Sequence, residues 1–179
     1  MNDLEKLFLS ELKDTYDAEQ QLLKALPEME QTAKSDSLKR AFHEHTVQTE
    51  THVNRLERVF EQLGQTPKRR PGHGVQGLVL EEEGMLKTLG RNSESDAVLV
   101  TAGHKAEHYE ITAYRTLSSW AKELGMARVV SLLEENLSDE EQTDKALTVV
   151  AGFSRNRTAA RHDSPKPERF SSLVGKPGD

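Results

Sequence analysis

The sequence contains no cysteine among its 179 residues. This excludes disulfides, thiolate zinc sites, iron–sulfur clusters and thiol catalysis from the chain. Any bound metal would have to be held by carboxylate and imidazole groups. Such a ligand set suits iron or manganese, and it also admits zinc.

Long hydrophobic runs are missing as well. No stretch reaches the roughly eighteen consecutive apolar residues that a membrane-spanning helix needs, so we predict no span and no membrane partner. The opening segment MNDLEKLFLSEL is acidic and amphipathic, and it lacks the basic start and apolar centre of a signal peptide. These features predict a soluble cytoplasmic protein.

Aromatic residues make up only 5% of the chain, and the formal net charge is −6, from 24 Lys+Arg and 30 Asp+Glu. The residues from Phe153 onward carry six of the basic and three of the acidic side chains, so the rest of the chain has a charge of −9. An acidic body with few rings for base stacking argues against nucleic acid as a partner.

Four long segments show the apolar spacing of bundle helices, over residues 2–33, 36–63, 94–125 and 126–151. The connection over residues 64–92 is long and carries a short helical pattern at 75–89, while Lys68, Arg69 and Arg70 suggest a solvated loop. A long connection makes the second and third bundle helices parallel. We therefore predict an all-α fold, a ferritin-like antiparallel four-helix bundle with one long crossover carrying a short fifth helix. The bundle domain would span residues 1–152, followed by a basic, flexible tail over 153–179.

Acidic and imidazole side chains interrupt the apolar stripes near the middle of these helices. Carboxylates buried without a partner cost several kcal/mol each, and facing carboxylates also repel one another. A single such residue is more simply explained by a bundle edge that reaches water. Their joint occurrence on four helices instead favours a centre of two metal ions, with ligands Glu19, His52, Glu107, Glu110, Glu140 and Asp144.

Spacing supports this hypothesis, because Glu107 and Glu110 are three residues apart and Glu140 and Asp144 are four apart, so each pair shares a helix face. Other polar groups on or near the stripes could orient the ligands by hydrogen bonds. These second-layer candidates are Thr15, Tyr16, His45, Gln48, His104 and Tyr114. Taken alone, His45 is better read as a hydrogen-bonded core or dimer-face histidine.

Several stretches resemble the YciF/YciE family of ferritin-like stress proteins. They are LKDTYDAEQQLLKALPEM on the first helix, AFHEHTVQTETHVNRLERVFEQLG on the second, AEHYEITAYRTLSSWAKELG on the third and LLEENLSDEEQTDKALT on the fourth. The resemblance covers about residues 1–152. It implies a bacterial stress-response protein that forms a homodimer and binds two metal ions, and Glu19, Glu107, Glu110, Glu140 and Asp144 match its pattern.

The second helix departs from that family pattern. The family usually reads Glu-Glu-Thr where this chain has Val47, Gln48 and Thr49, and it often has Gln where this chain has His52. One expected carboxylate is thus an amide, and one expected amide is an imidazole.

Two functions of different classes fit the sequence. One is a di-iron or di-manganese oxidoreductase that acts on O2 or peroxide. The other is a non-catalytic, dimeric stress-related scaffold in which any metal is structural. Apolar residues of the crossover, Leu78, Val79, Leu86 and Leu89, support dimerisation weakly, and nothing indicates the hollow shell that iron storage requires.

Overall fold

The computed structural model describes residues 2–89 and 94–162, with side chains as far as residue 152. Within these ranges the chain forms helices and no strand, which confirms the all-α prediction. The helices are α1 (Asp3–Thr32), α2 (Asp36–Gln62), α3 (Gly74–Leu89), α4 (Ser95–Glu123) and α5 (Ala127–His162).

Local sequence signals set the ends of these helices. The Asn2 side chain accepts a hydrogen bond from the Glu5 backbone N–H, while the Glu5 carboxylate accepts one from the Asn2 N–H, which is a capping box. Ser35 caps α2 in the same position. Gly64 and Gly125 follow α2 and α4 with φ of 62° and 70°, a left-handed conformation that glycine adopts without strain.

Two hydrophobic clusters show how the bundle helices run. The first joins the start of α1, the end of α2, the end of α4 and the start of α5, with Phe8, Phe60, Leu117 and Leu133 among its members. The second joins the opposite ends, with Leu26, Leu38, Leu99 and Leu147 among its members. Hence α1 runs antiparallel to α2 and to α4, α5 runs antiparallel to α2 and to α4, and α2 is parallel to α4. This is the single-crossover topology that the long connection predicts.

The crossover helix α3 packs on α1 and α4. Val79 and Leu86 pack inward against the second hydrophobic cluster and so give no support to a dimer face, while Leu89 is 46% exposed. Since Val79 and Leu86 are covered, the dimer prediction rests on the family resemblance rather than on the apolar residues of the crossover.

The start of α3 lies close to α4, because a methyl group at Gly74 would meet the Tyr109 ring of α4 at 2.5 Å.

The loop before α3 exposes Lys68, Arg69 and Arg70 to solvent, as predicted, but it is also fastened to α1. Buried Asp17 accepts hydrogen bonds from Arg69 Nε at 2.5 Å, from the Gly72 N–H at 3.0 Å and from Gln21 Nε2 at 2.6 Å. Burial alone would raise the pKa of Asp17, but these donors together hold it below its ordinary value. Asp17 acts as an anchor for the crossover.

Helix α5 continues to His162, beyond the end near Ala151 that we predicted. No proline occurs between Pro71 and Pro165, and a single glycine such as Gly152 costs a helix only about 1 kcal/mol. The remainder of the predicted flexible tail, residues 163–179, lies outside the described residues. Among the helices that the structure describes, none is both long and apolar enough to cross a membrane.

Candidate metal centre

A layer of acidic and imidazole side chains separates the two hydrophobic clusters. All four bundle helices contribute to it, and each of these side chains is at most 2% exposed. The contributors are Glu19 on α1, His45 and His52 on α2, Glu107 and Glu110 on α4, and Glu140 on α5.

These side chains form two overlapping groups with the composition of metal sites. His45, Glu107, Glu110 and Glu140 make up one group, and within it one ligand atom from each residue lies within 4.8 Å of all the others. Glu19, His52 and Glu140 make up the second group by the same measure. Glu140 belongs to both, so the two groups share its carboxylate.

The imidazoles lie against the carboxylates. His45 Nδ1 is 3.1 Å from Glu107 Oε1, and its Nε2 is 3.6 Å from Glu140 Oε2. His52 Nδ1 is 2.9 Å from Glu140 Oε1 and 3.4 Å from Glu19 Oε1. Both histidines thus lie beside Glu140, and in addition His45 lies beside Glu107 and His52 beside Glu19.

Burial and mutual repulsion shift the pKa values of this cluster strongly. Burial, followed by the charge of Glu140, raises the pKa of Glu107 to about 11. The same two causes raise the pKa of Glu110 well above its ordinary value. Burial would lower the pKa of His52, but the adjacent carboxylates of Glu140 and Glu19 raise it to about 10. Without metal, the cluster lowers its charge by binding protons.

Most of these polar atoms still lack hydrogen bonds of good geometry. In the described part of the chain, eleven buried side-chain nitrogen or oxygen atoms have no hydrogen-bond partner, and all but Asp14 Oδ1 belong to this layer or to Thr49 inside it. Both oxygens of Glu107, Glu110 and Glu140 are among them. Buried polar atoms normally have hydrogen-bond partners. Several buried oxygen and nitrogen atoms without partners in one place are what a bound cation would require.

Further polar residues hold the second group in place. The Tyr114 hydroxyl donates to Glu19 Oε1 and accepts a hydrogen bond from Asn136 Nδ2 at 3.0 Å. His52 Nε2 lies 3.4 Å from Asp139 Oδ2, and Arg55 donates to that same oxygen at 2.7 Å. A carboxylate behind a histidine orients the ring and fixes which nitrogen faces the metal.

Five of the six predicted ligands come together in this layer, and Asp144 does not. Its Oδ1 instead lies 2.7 Å from His104 Nδ1 at the flank of α4, and Asp144 is 26% exposed. Four residues turn a helix by about 400°, so Asp144 lies about 40° around α5 from Glu140, and its side chain is one methylene shorter. His45, predicted only as a second-layer group, takes a ligand position in its place. Whether any of these residues binds metal stays a prediction.

Only Tyr114 among the other second-layer candidates contacts the cluster as predicted. Tyr16 donates to Glu57 at 2.8 Å, Gln48 accepts from Thr143 at 2.9 Å, and Thr15 donates to the Glu11 carbonyl of its own helix at 2.9 Å. Sequence reasoning missed Asn136 and Asp139. Asn136 is fully buried and four residues before Glu140, a spacing that could have revealed it.

Two spaces lie where α3 packs on α1. A groove of about 300 Å³ is lined by Glu28, Glu82 and Lys87, among others. A narrow cavity of about 10 Å³, with room for roughly one water, is lined by His45, Glu82 and apolar side chains. Met29, Val79 and Glu82 line both spaces, and the narrow cavity lies beside one histidine of the cluster.

Comparison with known families gives a match over residues 3–160 to the family described as a domain of unknown function, DUF892. The chain belongs to this family. It is 35% identical over 160 residues to protein YciF of Escherichia coli K12, an alignment that covers 89% of this chain and 96% of that protein. The family is ferritin-like, in agreement with the bundle topology.

Solved structures show the same fold. The crystal structure of the Escherichia coli stress protein YciF matches with a TM-score of 0.82 and 35% identity, over 87% of this chain and 99% of that one. YcfI of Rhodopseudomonas palustris, described as a candidate structural protein, matches with a TM-score of 0.80 and 35% identity, over 82% and 94% of the two chains. The chain is therefore a YciF-like member of a ferritin-like family that includes a stress protein.

Proposed function

We propose that this protein is a bacterial stress-response protein whose bundle binds two metal ions, iron or manganese, between its four helices. The observation that carries this proposal is the set of buried ligand atoms without hydrogen-bond partners, concentrated in two groups that share Glu140. His45, Glu107, Glu110 and Glu140 would hold one ion, and Glu19, His52 and Glu140 the other. Zinc also suits these ligands, although carboxylate-rich sites favour iron and manganese.

The surroundings support reactivity as well as binding. When bound, iron or manganese supplies redox chemistry with O2 or peroxide, which oxygen and nitrogen side chains do not provide by themselves. Tyr114 and Asn136 fix the Glu19 carboxylate, while Asp139 and Arg55 orient the His52 ring. The space beside His45 has room for about one water, and the side chains around it are apolar apart from His45 and Glu82.

The test compares two neighbouring glutamates of α5. Glu140 is fully buried and common to both groups, whereas the side chain of Glu141 is 38% exposed and pairs with Arg115. We expect protein purified without chelator to contain close to two iron or manganese ions per chain by elemental analysis. Glu140→Gln should lose most of this metal, and Glu141→Gln should keep it.

Activity is measured on the same three proteins as peroxide consumption and Fe²⁺ oxidation. Activity in the wild type and in Glu141→Gln, but not in Glu140→Gln, supports an oxidoreductase. Metal content near zero in the wild type, even after reconstitution with Fe²⁺ or Mn²⁺, would refute the proposal.

A second candidate is a non-catalytic dimeric scaffold, and one observation favours it. The raised pKa values of Glu107 and His52 show that protons alone can lower the charge repulsion within the cluster. A relative described as a candidate structural protein is consistent with that role. A homodimer by light scattering, with mass and melting temperature unchanged by a chelator and no activity, would favour the scaffold.

A further inference from the structure

The groove between α1 and α3 contains a buried carboxylate without a partner. Glu82 of α3 is 8% exposed, and it lines both the groove of about 300 Å³ and the narrow cavity beside His45. Among the residues that the structure describes, none forms a hydrogen bond or an ion pair with its carboxylate. Glutamate is almost never buried to this degree unless it is paired. A positively charged group in the groove would supply the partner.

The other charged side chains of the groove do not pair with Glu82. Lys87 is exposed, and its Nζ lies 3.1 Å from Glu83 Oε2. Glu28 lines the groove from α1, so the lining contains three carboxylates and one ammonium group. Burial and the charges of Glu83 and Glu28 raise the pKa of Glu82 to about 7, as expected for a carboxylate with no cation beside it. The groove is therefore complementary to a cation.

The remaining walls select the kind of cation. Apart from the charged groups and Thr32, the groove is lined by apolar side chains, namely Ala25, Met29, Val79 and Leu86. Within the described part of the chain, Glu82 belongs to neither of the two groups whose ligand atoms lie close enough together to hold a metal ion. A metal ion would therefore find too few ligands here. An ammonium group needs only acceptors for its N–H groups, and a hydrocarbon chain attached to it is stabilised by apolar walls.

We propose that this groove binds a small linear alkylammonium ion, with its ammonium group on the Glu82 carboxylate and its hydrocarbon chain along Met29, Val79 and Leu86. The volume of about 300 Å³ is at the lower end of the range for small-molecule sites, which suits a ligand of a few carbon atoms. From Ala25 to Thr32 the groove follows α1 for about 10 Å, at roughly 1.5 Å per residue. The site is separate from the buried metal centre and goes beyond the proposed function.

The experiment is a titration of the full-length protein with n-butylammonium chloride, followed through the carbon-13 signals of labelled methionine methyl groups. The chain has four methionines, so the signals can be assigned individually. Met29 lines the groove, whereas Met126 lies at the other end of the bundle. We expect the Met29 signal to shift until the site is saturated and the Met126 signal to stay unchanged. n-Butanol, a neutral molecule with the same chain, should bind at least about tenfold more weakly.

Two neighbouring glutamates of α3 provide the test variant and its control. Glu82→Gln removes the buried charge from the groove. Glu81→Gln removes an exposed charge that pairs with Lys105 at 2.8 Å and lines neither of the two spaces. We expect n-butylammonium to bind Glu82→Gln at least about tenfold more weakly than the wild type, and Glu81→Gln equally well. Equal binding to all three proteins, equal binding of n-butanol, or no shift of Met29 in the wild type would overturn the proposal.

Two further measurements separate a free ligand from other occupants. Light scattering should give the same protein mass with and without n-butylammonium. A mass that falls when the amine is added would mean that the groove holds a lysine of a second copy, and it would overturn the proposal. Glu140→Gln, which removes the carboxylate shared by the two metal groups, should bind the amine as the wild type does. Loss of amine binding in that variant would place the amine in the buried centre instead, so the two proposals can fail separately.

Discussion

Glu107→Gln should change the stability of this protein in opposite directions with and without metal. In the metal-free protein, burial and the charge of Glu140 raise the pKa of Glu107 from 4.5 to about 11, so its carboxyl group keeps a proton at pH 7. The unfolded chain releases that proton above about pH 4.5. Folding therefore loses stability as the pH rises from 4.5 toward 11, at about 1.4 kcal/mol per pH unit.

At pH 7 this cost is on the order of 3 kcal/mol, because about 2.5 pH units separate pH 7 from the unfolded pKa of 4.5. Glutamine has no proton to hold, and its oxygen keeps an acceptor near His45 Nδ1. Its amide N–H groups gain no obvious acceptor, which costs about 1–3 kcal/mol. We expect a net gain of up to about 2 kcal/mol at pH 7 and no gain at pH 4.5 or below.

Denaturant unfolding of chelator-treated protein at pH 4.5, 6 and 7.5 measures this gain, with exposed Glu44→Gln as the control. In metal-loaded protein the sign should reverse. The variant lacks a ligand, and we expect metal affinity to fall by at least the roughly 10–100-fold that even outer ligand-orienting groups contribute. A metal-free variant that is less stable at pH 7.5, or a gain that is independent of pH, would refute the reasoning.

Three further substitutions test the packing around the centre. Burial and the charges of Glu83 and Glu28 raise the pKa of Glu82 to about 7. Glu82→Gln should therefore add up to about 3 kcal/mol of stability at pH 8 and nothing below pH 4.5. Thermal melts at both pH values measure this, and an effect of equal size at both would contradict it. Asp17→Asn should lower the free energy of unfolding by about 1–3 kcal/mol at pH 7, as measured with urea, and by progressively less as the pH falls through the lowered pKa of Asp17. Proteases should also cut the loop over residues 64–73 faster in this variant. Gly103→Ala places a methyl group 2.9 Å from Leu147 Cδ1 and should lower the free energy of unfolding by about 1–3 kcal/mol. In Gly84→Ala the new methyl group meets nothing within 4 Å, so this variant should gain up to about 1 kcal/mol. Equal melting temperatures for the two variants would show that the α4–α5 contact is looser than described.

Periodicity predicted the bundle well because the apolar stripes and the turn residues act locally. Asn2 caps the start of α1, and Gly64 and Gly125 follow the ends of α2 and α4, as their residue types indicate. The long connection also predicted correctly that α2 and α4 run parallel. The end of α5 was missed because composition changes at Phe153 while helix propensity does not.

The candidate site was predicted to the level of helix faces but not of individual contacts. A stripe shows that a side chain faces the bundle axis, which is why Glu19, Glu107 and Glu140 converge as expected. It does not show how far a shorter side chain reaches, and Asp144 turns to His104 for that reason. The exchange of His45 for Asp144 depends on three-dimensional packing between α2, α4 and α5.

The charge of the buried layer bears on the number of metal ions. Its four carboxylates, Glu19, Glu107, Glu110 and Glu140, would carry −4 when ionised, and its two histidines would be neutral as ligands. Two divalent cations balance this charge, and one leaves −2 in a site that no solvent reaches. Unbalanced buried charge costs several kcal/mol, so the layer favours two ions over one.

Metal binding should therefore release protons from the layer. At pH 7 the metal-free protein holds a proton on Glu107 and an additional proton on His52, because their pKa values are raised to about 11 and about 10. Burial and the charge of Glu140 raise the pKa of Glu110 in the same direction. Protons on ligand atoms must leave before these atoms can bind metal. Mn²⁺ titrations in buffers of different ionisation enthalpy should therefore report net proton release at pH 7, and less of it in Glu107→Gln. Binding of two ions without proton release would mean that the metal occupies other residues.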